Sequence, residues 1–387
     1  MTDTTKVAVL LCGYGEVEEY SEFADYNERA LRLLASKFIK FPDFSIPWLA
    51  KFLGASDRRE WGQQDRYTSP HNDIFEAQRA GIETALQAQY GDRVAVFKAF
   101  NFCEPHLPHQ VLEQVREQGY ERILIYPLLV VDSVFTSGLA LEQINSALGE
   151  DCGWVQGMRY LPSFFERAEY HQRMADHVRS RLQDLQGTYA SSQIGILLLV
   201  HGCPHDAKGY ESGIRESEAL YYSVRDRLIQ EFPLVSIAWM NHDTPGQWTT
   251  PDVNLAAENL LKTGARALIF APIGFVTENH ETMLDVGYSI KKFQNRAECL
   301  HLDCLNEDPG FLQIAANWVA PLIDELLAVE LHAHRGSEFE ILPPVGTLPN
   351  RNLTLHERLP VAAAHGHSHS HSHGGHSHSH GGHHHHH

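Results

Sequence analysis

The chain predicts an α/β protein made of two Rossmann-like halves, doubly wound around parallel sheets, with a cleft between them. Three observations carry this expectation. Apolar runs alternate with amphipathic segments along 387 residues. The alternation occurs twice, in stretches of similar length. Several apolar runs also end abruptly in Gly or titratable residues, and the carboxyl edge of a parallel sheet is where open α/β proteins bind ligands.

In the first half, residues 7–12, 94–100, 123–131 and 154–160 read as strands. The first three are rich in β-branched and large apolar residues without strict alternation, as strands buried on both faces are. Residues 74–90, 109–118, 139–148 and 164–185 read as helices, with apolar side chains at three- and four-residue steps. The second half repeats the plan, with strands at 194–200, 235–240, 267–273 and 299–305. Its helices are expected at 217–231, 252–263, 279–293 and 311–331, and Gly119 and Gly264 serve as stops after helices. The expected division is a first half at 1–186, a second half at 187–335 joined through residues 186–193, and a linker with a tail at 336–387.

Residues 37–61 fit the alternation poorly. Phe38, Ile39, Phe41, Phe44, Ile46, Trp48, Leu49, Phe52, Leu53 and Trp61 crowd into them, and Pro42 and Pro47 are expected to interrupt any long helix. Such an insertion is either an aromatic lip over a large flat ligand, with peripheral membrane contact as a further use, or an extra layer of core.

Composition narrows the function. A formal net charge of -18, with no Lys/Arg run, argues against nucleic acid and favours cations. Six cysteines without a CxxC pair suggest neither a zinc ribbon nor a disulfide framework, and fit a reducing cytoplasm. No apolar signal segment precedes the first strand, and no run reaches the ~18 apolar residues of a transmembrane span. A soluble cytoplasmic protein is the expectation.

Two strand ends carry the chemistry. Ile196-Leu197-Leu198-Leu199-Val200-His201-Gly202 brings an imidazole to the sheet edge, and Phe270-Ala271-Pro272-Ile273-Gly274 leads to Glu278, His280, Glu281 and Asp285. Glu278, Glu281 and Asp285 stand at steps of three and four, which places them on one face of an expected helix. Acids in a first turn also complement the helix dipole, which accounts for Glu278 better than for Asp285. A neutral imidazole and carboxylates meeting in one cleft would take up protons and pass a divalent metal, and oxygen ligands bind Fe²⁺ without trapping it as thiolates would. His280 is a further candidate ligand beside Glu281.

These residues carry a resemblance. Pro272-Ile273-Gly274-Phe275-Val276, with Glu281 seven residues after Gly274 and Asp285 four further on, resembles the signature of the ferrochelatase family. So does Val200-His201-Gly202 followed by Trp239, Thr244-Pro245 and Trp248-Thr249-Thr250-Pro251-Asp252-Val253. The first half is similar more weakly, through Gly13-Tyr14-Gly15, Ser69-Pro70, Gln78, Phe97-Lys98-Ala99-Phe100, Pro127 and Ser133-Val134. Two departures stand out: Leu199 replaces a serine two residues before the histidine, and Cys12-Gly13-Tyr14-Gly15 replaces an Asn-x-Gly-Gly turn.

The resemblance implies insertion of Fe²⁺ into a porphyrin, protoporphyrin IX or coproporphyrin III, in haem biosynthesis. It implies His201 and Glu281 as catalytic groups, His201, Glu281 and Asp285 as metal ligands with Glu278 and His280 possible additions, and Tyr14, Ser133 and Trp239 beside the porphyrin. Iron would be a substrate, with no tightly bound cofactor. A cobalt or nickel chelatase for another tetrapyrrole, and a non-catalytic tetrapyrrole or metal carrier, remain open.

The last 23 residues alternate His with Ser and Gly and hold 13 of the 26 histidines. Without apolar residues they are expected to be disordered. Their imidazoles, at His365, His367, His369, His371, His373, His376, His378 and His380 and in the final run, suit Ni²⁺, Co²⁺, Zn²⁺ or Cu²⁺.

Overall fold

The structure, a computed structural model, describes residues 4–328 except 38, 150, 206–211 and 245. The expected tail ligands therefore lie outside the described residues. In chain order the first half comprises β1 (Val7–Gly13), α1 (Phe23–Leu33), α2 (Ile46–Gln63), α3 (His71–Tyr90), β2 (Val94–Phe100), α4 (Pro108–Glu117), β3 (Arg122–Pro127), α5 (Ser137–Leu148), β4 (Gly157–Tyr160) and α6 (Ala168–Gln186). The second comprises β5 (Ile194–His201), α7 (Ile214–Asp226), β6 (Leu234–Met240), α8 (Val253–Lys262), β7 (Ala267–Ala271), α9 (Val286–Phe293), β8 (Glu298–His301) and α10 (Pro309–Ala328).

Two four-stranded parallel sheets result, ordered β2-β1-β3-β4 and β6-β5-β7-β8. The two halves thus share one topology. All seven residues of β1 are buried, as are the first seven of β5, because helices cover both sheet faces. The strands β3 and β8 end earlier than the apolar pattern extends. Pro127 closes β3 and the chain then leaves the sheet as a buried loop through Leu128 and Val130, whose burial mimics a strand in the sequence.

Pro47 opens α2 instead of breaking it, since a proline in a first turn gives up an N–H that has no helical partner anyway. The helix runs 18 residues and packs along α1 as a hairpin. One face of this hairpin is core: Phe23, Trp61 and Val17 form one buried cluster, and Leu31, Ile46 and Ala50 another. Gly54 lets the two helices approach closely, since a Cβ there would lie 3.0 Å from the backbone at Phe23 and Ala24. The expected core layer is therefore present, while Ile39, Phe44, Trp48 and Phe52 stay exposed.

The closing helices are exchanged between halves. The helix α10 lies on α3 and the first sheet, where Tyr126 and Tyr90 donate hydrogen bonds to the Ala315 and Ala320 carbonyls at 3.1 and 3.0 Å. Among the described helices it is the one long and apolar enough to cross a membrane, yet Phe311, Ala315, Trp318, Val319, Ile323 and Leu326 are buried against the first half. Conversely α6 packs on α7 and β7, tied by the Arg173–Asp308 ion pair and by Arg179 to Glu231 at 3.1 Å. A single apolar core accordingly contains strand residues from both sheets.

Candidate metal centre

The site forms where β5, β6 and β7 end side by side. His201 is the last residue of β5 and pairs in register with Met240 of β6. The chain then turns at Gly202, whose N–H donates to the Met240 carbonyl at 2.9 Å. No larger residue fits at 202, since a Cβ would sit 1.9 Å from Asn241 Oδ1. From β7 the chain crosses back over β5, with Gly274 N–H donating to the Leu199 carbonyl at 3.1 Å. It then enters a wide, π-type turn at Glu281–Asp285, a local irregularity that recurs at functional sites. Asn279 starts that turn, its Oδ1 accepting from the N–H groups of Glu281 and Thr282 at 2.8 and 3.1 Å.

His201 and Glu281 meet directly, Nε2 to Oε2 at 3.5 Å. A third donor, which the sequence reading missed, stands with them: His242 Nε2 lies 3.5 Å from Glu281 Oε1 and 3.2 Å from His201 Nε2. Their donor atoms all fall within 4.8 Å, and this is the one such metal-competent cluster of three among the described residues. About half of each imidazole faces solvent, 48% and 43%, whereas the Glu281 side chain is 15% exposed. The carboxylate thus forms the floor of a recess that water reaches but protein surrounds. Two surface depressions elsewhere, one lined by Tyr189, Arg266 and Glu298 and the other by Arg32, Phe41 and Ile46, contain none of these residues.

Electrostatics divide the group. Desolvation penalises the Glu281 carboxylate, but His201, His242 and His280 outweigh it and hold the group well below the usual carboxylate range. Burial also opposes charge on His201, yet Glu281, the Gly202 carbonyl and Asp285 raise it on balance. For His242 burial wins over the opposing Glu281 charge and, with His201 and His280, lowers its pKa. His201 Nδ1 lies 2.7 Å from the Gly202 carbonyl, which can only accept, so Nδ1 carries a proton and Nε2 is the ring atom turned to Glu281 and His242.

The other expected site residues divide. Asp285 stands at the far end of the π-type turn, where desolvation and then the Glu281 charge push it up to about 7. It is electrostatically coupled to the trio but is not part of it. Glu278 is not on the expected acidic face: it precedes the helix, and its buried carboxylate accepts from Cys304 N and Thr282 Oγ1, each at 2.6 Å. His280 is taken as well, since Nδ1 is bonded to the buried carboxylate of Glu16, which follows β1. Desolvation opposes the His280 charge, but Glu16 and then Glu281 and Asp285 raise its pKa to about 10.

Trp239 is core instead of cleft wall. Its register partner is Val200, so the indole falls on the sheet face that holds Ile196 and Leu198 and is 3% exposed. Ser133 is buried, with its hydroxyl 3.0 Å from Thr136 Oγ1 and accepting from Phe135 N at 3.2 Å. Tyr14 follows β1, rests on Phe102 with ring centroids 5.2 Å apart, and donates to the Phe135 carbonyl. Burial and then the Glu281 charge push its phenol pKa up, so the ring stays neutral.

The first half also braces the second. Gln78 of α3 is fully buried and donates to the Val276 and Asn306 carbonyls at 3.0 Å each, while accepting from Thr277 Oγ1 at 2.7 Å. The hairpin adds Tyr288 to Glu60 at 3.0 Å. The loop that carries Glu281 is therefore held by groups from both halves.

Curated relatives of the chain include ferrochelatases. A ferrochelatase from Synechococcus elongatus is 25% identical over 334 residues, covering 83% of each chain. Another, from a Synechocystis strain, is 25% identical over 337 residues with the same coverage. The solved structure described as SirB from Bacillus subtilis with Fe3+ aligns at a TM-score of 0.47 and 12% identity, over 84% of this chain and 96% of its own. The ferrochelatase family profile matches residues 6–322, and the chain belongs to that family.

Proposed function

We propose that the chain inserts Fe²⁺ into a porphyrin, of the protoporphyrin IX or coproporphyrin III kind, in haem biosynthesis, with His201 and Glu281 as the groups that meet the metal and the pyrrole protons. The observation that supports this best is the 3.5 Å approach of His201 Nε2 to an ionised Glu281 at the open edge of the second sheet. The reaction replaces two N–H protons of the macrocycle with one divalent ion, so charge balances without any redox step. Protons leave toward Glu281 and His201, which solvent reaches, and four metal–nitrogen bonds form as the ion is released by the protein. Tyr14 stays neutral beside them and offers an apolar ring to a flat ligand. Purified protein offered Fe²⁺, Co²⁺, Ni²⁺ and Zn²⁺ against protoporphyrin, coproporphyrin and sirohydrochlorin should turn over Fe²⁺ with a porphyrin. Absence of Fe²⁺ insertion into either porphyrin would refute the reading.

One observation favours a second metal preference. The site offers two imidazole nitrogens to one carboxylate, and nitrogen ligands suit cobalt and nickel more than they suit iron. Sirohydrochlorin turning over with Co²⁺ or Ni²⁺, and not with Fe²⁺, would select that reading.

The His-rich tail is assigned to metal buffering or delivery, on composition alone. Deleting residues 365–387 should leave the maximal rate at saturating metal unchanged and raise the metal concentration needed when metal is scarce. A lower maximal rate in the truncated protein would contradict this role.

The exposed Phe44, Trp48 and Phe52 on the α1–α2 hairpin, with Lys40 and Lys51 beside them, support a peripheral contact with a lipid surface. Co-sedimentation with anionic vesicles should fall several-fold in Trp48→Ser/Phe52→Ser, with insertion of soluble porphyrin unchanged. Equal sedimentation of both proteins would remove the proposal.

A further inference from the structure

We propose that His242 is a third metal ligand, so that this chain captures the divalent ion on His201 Nε2, His242 Nε2 and the Glu281 carboxylate before any tetrapyrrole arrives. The inference rests on the reading above that this recess is the insertion site, and adds to it a residue that neither strand-end motif contains. Its ground is the spacing of the donors. With metal–ligand bonds of about 2.1 Å, neighbouring donors lie about 3.0 Å apart around an octahedral ion and about 3.4 Å around a tetrahedral one. The two imidazole nitrogens stand 3.2 Å apart, each lies 3.5 Å from a different oxygen of Glu281, and one donor atom from each residue falls within 4.8 Å of the others. One ion can therefore touch all three residues after side-chain adjustments of about an ångström.

The alternative is a plain hydrogen bond between the rings, and the surroundings argue for more than that. His201 is fixed by the Gly202 carbonyl so that its Nε2 faces His242, and the carboxylate turns one oxygen to each ring. A divalent ion that displaces the ring protons meets donors from three residues already turned to one point. The segment carrying His242 is also held in place. Asn241 Nδ2 donates to the Thr249 carbonyl at 2.8 Å, Thr249 Oγ1 returns a bond to Asn241 Oδ1 at 3.1 Å, and Trp248 Nε1 donates to the Thr244 carbonyl at 3.1 Å. The Trp248 ring stands edge-on to the imidazole, centroids 5.7 Å apart, which limits its rotamers.

Two imidazoles and one carboxylate leave half of an octahedral ion's positions open, on the side away from the protein. Pyrrole nitrogens can take those positions while the ion is still held, and the ion then passes across as the protein bonds lengthen. A dianionic macrocycle outcompetes three ligands of total charge -1. The third ligand thus raises capture from dilute metal without blocking release.

The test uses the full chain, with Co²⁺ alone as probe, and compares wild type with His242→Gln, His242→Cys and His201→Ala. The tail sequence is the same in all four proteins, so any Co²⁺ it takes up cancels in difference spectra. Wild type should show a visible Co²⁺ band that His201→Ala and His242→Gln both lose. His242→Cys should restore binding, with an added thiolate-to-cobalt charge-transfer band, because cysteine also ligates. In insertion assays His242→Gln should raise the KM for metal about 10- to 100-fold with the KM for tetrapyrrole unchanged. The proposal is overturned if His242→Gln keeps the wild-type Co²⁺ band and metal KM, the behaviour of a hydrogen-bond partner only. It is equally overturned if His242→Gln and His242→Cys lose the band alike, the behaviour of a side chain that only shapes the loop. Failure of the insertion reading looks different: wild type would show the Co²⁺ band but insert no metal into any tetrapyrrole.

Discussion

Glu281→Gln is expected to lower the insertion rate by about a thousandfold, within the range of about 10²–10⁴ that positioned proton-transfer groups contribute. The substitution keeps the shape of the side chain and removes the charge that binds metal, accepts a pyrrole proton and raises His201. His201→Ala should cost a comparable factor, since its Nε2 lies 3.5 Å from that carboxylate at the end of β5. Binding of free-base porphyrin, followed by fluorescence quenching, should change little in either variant, because an apolar disc takes its affinity from ring contacts. A non-catalytic carrier would show the reverse, with tetrapyrrole function intact in both variants.

The second large effect concerns stability. Glu16 is buried and its carboxylate is shared by Ser69, the His280 backbone N–H and the His280 ring. His280→Ala removes the cation and leaves the buried anion with neutral donors alone. Breaking a buried pair in this way costs about 3–5 kcal/mol, and about 3 is expected here because a third of the His280 side chain meets solvent and screening is correspondingly stronger. Adding Glu16→Gln should recover part of that loss, and the double-mutant cycle measures the coupling.

The pair also fixes a pH dependence. The folded His280 pKa, about 10, lies above its ordinary 6.5, so its contribution is complete below 6.5 and is lost as pH rises toward about 10. Burial opposes the Glu16 charge, but His280 and His71 lower its pKa below the ordinary 4.5, so its contribution is complete above 4.5 and is lost on further acidification. The advantage of wild type over His280→Ala in denaturant midpoint should therefore be largest between about pH 5 and 6.5 and vanish near pH 10. An advantage that grew with alkalinity would contradict the assignment.

Much of the fold was legible because buried parallel strands write themselves as apolar runs, and β1, β2, β5 and β6 match their runs to within a residue or so. His201 was legible for the same reason, being the last residue of β5, whereas Glu281 lies in the loop and turn well beyond β7 and was legible through its spacing from Gly274. His242 was not, because its partnership depends on β6 lying next to β5 and on the pairing of His201 with Met240, neither of which periodicity encodes. The available signal was its position two residues beyond that pair, on the same face of a continuing strand direction. Glu278 misled because a helical repeat was extended backwards over Asn279, whose side chain in fact starts the helix. Trp239 misled because family resemblance gives a position but not the face on which a side chain falls. Pro47 shows the same limit: a proline reads as an interruption until the helix start is known.

The exchange of α6 and α10 bears on how this molecule can come apart. Severing the peptide near residue 187 would strand each sheet without one of its covers, exposing Tyr126 on one fragment and Ile273 on the other along with the greasy sides of both orphaned helices. Neither piece could melt or refold without its mate, so heating should produce one transition for the whole assembly.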